Sequence, residues 1–264
     1  MPNEIDSKLS GRYIYGIIPS VTGFQTTGID GNPVYLIFYR DIAALVHSCH
    51  PKAYQSSNRE QVENWLRQHQ NVLDEALKHT NSLIPMSFDG IIDGSSISDP
   101  DDILKQWLQE RYILIKDLLE QLSGCVEYGI KIYCSNEMLT AKVTKENPEI
   151  VGLNDRLMSM SKGTAFLFQS ELSQKIRKAV AAECQILGNE IIAKIRQVVI
   201  DLKENKLDKE VSCSQRAILN LAVLANQDKA EIIGDLLENL QTSGHYNVVF
   251  TGPWPAYNFV KDLN

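Results

Sequence analysis

The chain has 264 residues, 44% of them hydrophobic, and a formal net charge of −7. This charge argues against a nucleic-acid partner, because phosphates require a basic surface. No apolar run approaches the ~20 residues that cross a bilayer, which argues against a membrane protein. The hydrophobic fraction is enough for a substantial core, and the acidic excess lies in the first half. We therefore expect two domains, residues 1–134 and 135–264.

The N-terminus and the cysteines predict a cytoplasmic location. Residues 1–11 contain neither the basic nor the apolar region of a signal peptide. The five cysteines are odd in number and scattered along the chain. This distribution favours reduced thiols over a disulfide framework.

The first half opens with strand patterns. Alternating and β-branched segments predict strands over 12–18, 34–39 and 42–46. The last two are separated by only two residues, 40–41, which predicts a hairpin. A further short strand is predicted over 83–88.

Two helices complete the first half. Ser57 and Glu60 form a capping box in front of an amphipathic helix. His69 lies on the apolar face of this helix. We interpret it as a core residue rather than a catalytic base, since no nucleophile or carboxylate motif supports catalysis. Asp99 caps a second helix, which we expect to span 100 to about 122.

One cluster, His47, Cys49 and His50, contains good zinc ligands. Tetrahedral zinc needs four ligands, however, and no second ligand spacing follows in the chain. We therefore predict no metal site and interpret the cluster as a strand end with partly buried polar groups. Phosphate-binding, dinucleotide-binding and nucleophile motifs are also absent from the sequence. We predict no cofactor, no catalytic residues and no enzymatic activity.

The second half is richer in helix. A long helix is predicted from 164 to about 202, and it could exceed ~50 Å in length. The whole order is strand, helices, strand, strand, helix, strand, which approximates a ferredoxin-like βαββαβ unit with inserted helices. The predicted fold class is therefore α+β. The sequence does not decide which of the two domains contains strand 126–134. The other predicted segments are strands 126–134, 210–213, 217–224 and 248–250, and helices 138–145, 148–160 and one from Asn226 to Gly244.

The chain ends in a stiff aromatic segment. Its last strand is expected to stop at 251–253, because proline donates no ladder hydrogen bond. Two prolines then flank Trp254, and Tyr257 and Phe259 follow. Such large apolar side chains should lie against the protein or a partner. We assign Trp254, Tyr257 and Phe259 as a tail anchor or partner-binding set, and expect Trp254 and Phe259 to be buried against the C-terminal domain.

The segment T-G-P-W-P-A-Y-N-F-V at 251–260 resembles the signature ending of the gas vesicle protein F/L family, and we expect the F type. The departures from the family pattern are Asp89, where glycine is usual, and Ala256, where a second proline is common. Further segments agree with the family in order: Tyr13-Ile-Tyr-Gly-Ile17, Ile42-Ala-Ala-Leu-Val46, His69-Gln-Asn-Val-Leu-Asp-Glu-Ala76, Leu83-Ile-Pro-Met-Ser-Phe88, Gly129-Ile-Lys-Ile132 and Gly163-Thr-Ala-Phe-Leu167.

This resemblance implies a minor structural protein of the gas vesicle that binds the main shell protein and takes part in assembly. Its position would be on the shell, including the gas-facing side, after a cytoplasmic stage. Other minor gas vesicle proteins are further implied partners, whereas nucleic acid and lipid membrane are not. The alternative is a cytosolic assembly chaperone that does not remain in the mature vesicle. Both roles require a surface that covers the apolar face of the shell subunit.

Overall fold

The computed structural model describes residues 9–94, 98–160, 162–207, 214–260 and 263. It is a mixed helix and strand fold with antiparallel pairing in both sheets. Contacts divide the chain into two compact units, one of Met1–Glu127 with Pro253–Asn264 and one of Tyr128–Gly252. These units differ from the domains that we predicted, 1–134 and 135–264. The main difference is that the C-terminal tail groups with the first unit.

The first unit is built on a six-stranded sheet. Its strand order is β2-β3-β4-β1-β5, and β6 also pairs with β1. The predicted hairpin of β3 and β4 is confirmed, and Arg40 in its turn has a φ of 53°. The strands are β1 (Gly11–Pro19), β2 (Thr26–Thr27), β3 (Pro33–Tyr39), β4 (Ile42–Cys49), β5 (Ile84–Pro85) and β6 (Ile91–Asp93).

A bulge in β1 shapes the face of this sheet. The register of β1 against β4 shifts between Ile14 and Gly16, so Tyr15 has no partner of its own in the ladder. Tyr13 and Tyr15 share one face by the normal alternation of a strand, and the extra residue of the bulge brings Ile18 to the same face, so that all three join one core cluster. Gly16 follows at a point of close approach, where an added Cβ would lie 2.7 Å from the carbonyl oxygen of Ile84.

Three helices belong to the first unit: α1 (Arg59–Thr80), α2 (Pro100–Glu110) and α3 (Tyr112–Gln121). The cap of α1 is Asn58, whose side chain accepts from the Glu60 amide, so the predicted capping role of Ser57 is wrong. Asp99 caps α2 as predicted. The single helix expected over 100–122 is broken at Arg111. The break lets α2 contact β3 while α3 contacts β1 and β5, so each helix buries its own apolar side.

The second unit carries a four-stranded sheet of order β10-β7-β9-β8. Helices α4 and α5 are the predicted ones, and Asn147 caps α5 as expected. The elements are β7 (Cys125–Ser135), α4 (Asn136–Glu146), α5 (Pro148–Met158), α6 (Lys162–Ile195), β8 (Asp201–Glu204), β9 (Gln215–Asn226), α7 (Ala230–Thr242) and β10 (Tyr246–Trp254).

Two predicted boundaries in the second unit are wrong. Helix α6 ends at Ile195 rather than near 202, because Asp201–Glu204 pair with β9 as strand β8 and bury Leu202 in the sheet. The last strand does not stop at 251–253 but continues to Trp254. Proline is tolerated there because β10 is an edge strand, where a missing N–H can face away from the ladder. The predicted strand 210–213 lies outside the described residues.

No helix in the described part of the chain is both long enough and apolar enough to cross a membrane.

Candidate interaction surfaces

The C-terminal tail is held to the first unit by a buried carboxylate. Glu127, at the start of β7, is 6% exposed. Its two oxygens accept from Asn258, one from the backbone N–H at 2.8 Å and one from the side-chain amide at 2.6 Å. Ala256 and Val260 on either side are buried, and Tyr257 packs against the core of the first unit. The tail is therefore fixed by its Asn258 and by small apolar side chains.

The three aromatic residues that we assigned to the tail have different environments. The expected burial of Trp254 is wrong, because its residue surface is 42% exposed. Tyr257 and Phe259 are half-buried. The reason is positional: Trp254 ends an edge strand, and the turns that bury the tail begin only at Pro255. This segment groups with the first unit.

Trp254 and Tyr257 form one wall of a cleft in the first unit. The cleft has a volume of about 580 Å³. Helix α1 contributes Leu66, Arg67 and His69, and Phe88 lies on the remaining side. The cleft thus combines aromatic walls with a guanidinium, Arg67, and an imidazole, His69, of one helix.

Two histidines lie in an aromatic core next to this helix. The Tyr15 hydroxyl accepts from the Ile29 N–H at 2.8 Å and lies 2.8 Å from Nδ1 of His47. On the other side of the ring, Nε2 of His47 is hydrogen-bonded to the hydroxyl of Tyr54 at 3.0 Å, so both ring nitrogens have a tyrosine partner.

His69 is held in the same way, by a tyrosine hydroxyl at its Nδ1. The Tyr13 hydroxyl accepts from the Asp89 N–H at 3.1 Å and is also hydrogen-bonded to Nδ1 of His69 at 2.8 Å. The prediction that His69 is a core residue is confirmed, since it is 3% exposed. Burial lowers the pKa of both His47 and His69 to about 4. Both imidazoles are therefore neutral near pH 7.

The tyrosines of this cluster are held in their neutral form. Burial raises the pKa of Tyr54 to about 12, and it raises those of Tyr13 and Tyr15 as well. These hydroxyls are poor proton donors to a substrate, and they already bind the histidines. Among the described residues, no group of three His, Cys, Asp or Glu side chains could hold a metal ion. Both ring nitrogens of His47, the first candidate ligand, are hydrogen-bonded to tyrosines.

A second surface lies in the second unit, where α5 ends and α6 begins. Met158 is 85% exposed and Phe166 75%. None of the described side chains between 166 and 179 is buried, whereas Val180 and Ile191 further along α6 are. The first half of α6 therefore carries apolar side chains, Phe166 and Phe168 among them, that the described chain leaves exposed.

The sequence analysis missed the partners that fix the tail and line the cleft. Glu127 stands in an alternating strand, and a charged residue at an inward position was the available signal. Arg67 gave no signal, because an amphipathic helix normally presents such a residue to solvent.

Comparison with known proteins identifies the family that this chain matches. The family described as gas vesicle synthesis protein GvpL/GvpF matches residues 11–261. The chain is 28% identical to gas vesicle protein L1 of Halobacterium salinarum, over 99% of this chain and 94% of that protein. It is also 28% identical to gas vesicle protein F of a Streptomyces species, over 94% of this chain and 99% of that protein. Both L-type and F-type proteins are thus among its relatives.

Two crystal structures share the fold. GvpF from Microcystis aeruginosa superposes with a TM-score of 0.70 at 19% identity, covering 95% of this chain and 99% of that one. GvpF from an Anabaena species superposes with a TM-score of 0.72 at 18% identity, covering 95% and 98%.

Proposed function

This chain belongs to the GvpL/GvpF family of gas vesicle synthesis proteins, and we propose that it is a minor structural protein of the gas vesicle that binds the main shell protein. It would act at the shell, including the gas-facing side, and take part in vesicle assembly. It would reach the shell from the cytoplasm and have no enzymatic activity. Other minor gas vesicle proteins are further partners in this proposal, and nucleic acid and lipid membrane are not.

The observation that carries this proposal is the exposed first half of α6. Phe166 is 75% exposed and Phe168 36%, on a helix whose second half packs onto β9. Large exposed aromatic side chains on a water-exposed helix are candidate contacts for a partner. A shell subunit with an apolar face needs a partner that covers this face, and covering apolar area contributes about 25 cal/mol per Å² before association costs.

The test is a pull-down with the purified shell protein across a salt series. We expect the unchanged protein to retain the shell protein at moderate salt, because apolar contacts are not screened as ion pairs are. Phe166→Ser should weaken retention. Ile113→Ser is the matched control, since Ile113 is an equally exposed apolar residue (68%) on α3 of the first unit. Equal retention by both variants would exclude α6 as the binding surface, and no binding at any salt would exclude the shell protein as a direct partner.

The alternative is a cytosolic chaperone that covers the shell subunit and leaves before the vesicle matures. Both roles use the same surface, so fractionation of washed vesicles separates them. Retention after stringent washing supports a shell component, and loss into the wash supports the chaperone.

We also propose that the second unit is a modified ferredoxin-like domain. Its support is the chain order of one strand, three helices, two strands, one helix and one strand, together with the sheet order β10-β7-β9-β8. The F type, expected from the sequence, is likewise a proposal, since L-type and F-type relatives match at the same 28% identity.

A further inference from the structure

The outer edge of β3 is open along most of its length. In the hairpin with β4, the two-residue turn makes Tyr39 and Ile42 a hydrogen-bonded pair, and the pairing then alternates along the ladder. The N–H and C=O groups of Leu36 and Phe38 therefore point away from β4. On that side β2 pairs only with the first two residues of β3, and no other strand in the described part of the chain adjoins it. Among the residues described, two successive N–H and C=O pairs thus lack a ladder partner.

A groove runs along this open edge. It lies between the segment 21–25, which leads into β2, and residues 33–36 and 38 of β3, and we call it the β3 groove. Its volume is about 840 Å³. Phe24 holds the segment away from β3, because it is 7% exposed in the core and its ring lies 5.5 Å from that of His79 on α1. The gap is therefore part of the fold.

The β3 groove is lined by uncharged side chains. Val21, Phe24, Leu36 and Phe38 are among them, and threonines and Gln25 lie beside them; none of the described lining residues is charged. Leu36 is partly buried and Phe38 is 47% exposed, both on the same face of β3. A charged group placed here would lose water without gaining a counter-charge. A ligand of this groove is therefore uncharged and apolar where it touches these side chains.

The spacing of the open backbone groups favours a polypeptide as this ligand. Leu36 and Phe38 present N–H and C=O pairs about 6.8 Å apart, two residues along the strand. An extended chain repeats donors and acceptors at the same interval, and addition of such a strand to an open sheet edge is a recurring mode of recognition. A chain that continues the antiparallel direction of β2 would exchange hydrogen bonds with both residues. Its side chains opposite Leu36 and Phe38 would then point to the same face as theirs, towards Val21 and Phe24.

From this geometry we infer that the β3 groove binds an extended segment of a protein partner by strand addition, with uncharged apolar side chains at alternate positions of the segment. The segment lies antiparallel to β3 and forms backbone hydrogen bonds with Leu36 and Phe38. A second copy of this chain fits less well, because its own segment 21–25 stands beside its β3 and would have to share the gap. The inference goes beyond the proposed function, because the groove is in the first unit and the α6 surface is in the second. Either one can fail without the other.

The experiment uses the full chain and a fluorescein-labelled, end-blocked peptide of the sequence Val-Thr-Val-Thr-Val, measured by fluorescence anisotropy. When the valines point to the face of Leu36 and Phe38, their backbone groups pair with β3 and those of the threonines point away. N-methylation of the central valine should therefore weaken binding at least about tenfold, whereas N-methylation of a threonine should change it by less than about twofold. This pair of peptides needs no change in the protein.

The matching change in the protein is a lysine on the open edge. Phe38→Lys should weaken binding at least about tenfold, because lysine on an edge strand opposes the addition of another strand. Ile113→Lys is the matched control, since Ile113 is an exposed apolar residue (68%) of the same unit that lies outside the groove. Unfolding temperatures show whether both variants are folded, and the N-methyl peptides keep the test decisive if Phe38→Lys is not.

Amide hydrogen exchange locates the bound strand. The N–H groups of Leu36 and Phe38 should exchange more slowly when the peptide is bound, while that of Ile37, which already pairs with Ala44 of β4, should not change. Absence of peptide binding, equal effects of the two N-methyl groups, equal effects of the two lysine changes, or unchanged exchange at Leu36 and Phe38 would each overturn the inference. A dimer of the unliganded chain that is lost in Phe38→Lys would also overturn it, and would assign the edge to a second copy.

Discussion

The carboxylate of Glu127 binds Asn258 through two hydrogen bonds, at 2.8 Å to the backbone N–H and 2.6 Å to the side-chain amide. This contact joins residues far apart in the sequence and fixes the aromatic C-terminal segment to the first unit. A buried carboxylate is costly unless its oxygens are paired, so Glu127 and Asn258 depend on one another.

Replacement of Asn258 should loosen the tail. Asn258→Ala removes the amide that donates at 2.6 Å and leaves a buried oxygen of Glu127 with one fewer donor. We expect the free energy of unfolding to fall by about 1.5–3 kcal/mol in urea denaturation, the range for hydrogen bonds to charged groups. Asn64→Ala, at an exposed position of α1, is the control and should change stability by less than about 0.5 kcal/mol. Equal effects of the two changes would contradict the anchoring role.

The exposure of Trp254 predicts an unequal contribution of the tail aromatics. Alanine replacement of a fully buried aromatic residue costs about 3–5 kcal/mol. Trp254 is 42% exposed, so Trp254→Ala should cost clearly less than this range. Tyr257→Ala should cost more than Trp254→Ala, because Tyr257 packs on the core of the first unit. Thermal unfolding of the two variants measures the order, and the reverse order would show that Trp254 is the anchor.

Stability should decrease in mild acid because of His47 and His69. Burial lowers the pKa of each from 6.5 to about 4. Between these values the unfolded chain binds more protons than the folded chain, so the stabilisation is complete above pH 6.5 and is lost as the pH falls towards 4. The loss should reach up to about 3 kcal/mol per histidine. Urea unfolding at several pH values measures it.

The controls for this pH dependence are two glutamine variants. His47→Gln removes one buried titrating group and should flatten the dependence between pH 6.5 and 4. His50→Gln changes an exposed histidine and should leave the dependence as it is. A dependence that is the same in all three proteins would assign the acid lability to other groups.

Two glycines should respond in opposite directions to alanine. At Gly16 a Cβ would lie 2.7 Å from the Ile84 carbonyl oxygen and 2.9 Å from Cδ1 of Leu83, so Gly16→Ala should destabilise by about 1–3 kcal/mol. At Gly152 in α5 a Cβ would meet nothing within 4 Å, and Gly152→Ala should stabilise by about 0.5–1 kcal/mol. Melting temperatures of both variants provide the measurement. If Gly16→Ala left the melting temperature unchanged, β1 and β5 would be able to move apart enough to accept the added methyl group.

We predict no metal requirement. Both ring nitrogens of His47 are used in hydrogen bonds, to Tyr15 at 2.8 Å and to Tyr54 at 3.0 Å. A zinc ion could bind His47 only by displacing one of these tyrosines. Elemental analysis of the purified protein should therefore find no stoichiometric zinc, and chelators should leave its unfolding temperature unchanged. Stoichiometric zinc that is lost in His47→Gln would contradict the prediction.

Asp89 shows how sequence and structure inform each other. The sequence analysis marked it as a departure from the pattern that this chain resembles, and it lies at a φ of 70°, a conformation that favours glycine. Aspartate tolerates this region better than most residues, and here its Oδ1 also accepts from the Tyr54 N–H at 2.9 Å. The sequence alone shows an aspartate at this position. Only the fold shows the hydrogen bond from Tyr54 that its side chain accepts.

The sequence by itself determined those features that depend on neighbours along the chain. The caps at Asp99 and Asn147, the hairpin of β3 and β4 and the core face of α1 all follow from local hydrogen bonding and hydrophobic period. The family, too, followed from ordered sequence motifs. These features are short-range, so a single sequence is sufficient to predict them.

Tertiary structure alone decided the features that depend on distant contacts. Asp201–Glu204 became strand β8 because β9 offers a partner. The tail joined the first unit because Glu127 binds Asn258, and this placement left Trp254 at the rim of a cleft. The hydrogen-bond partner of His69 is Tyr13, 56 residues away in the sequence. Burial and partner identity arise from packing between segments, and no period or motif within one segment encodes them.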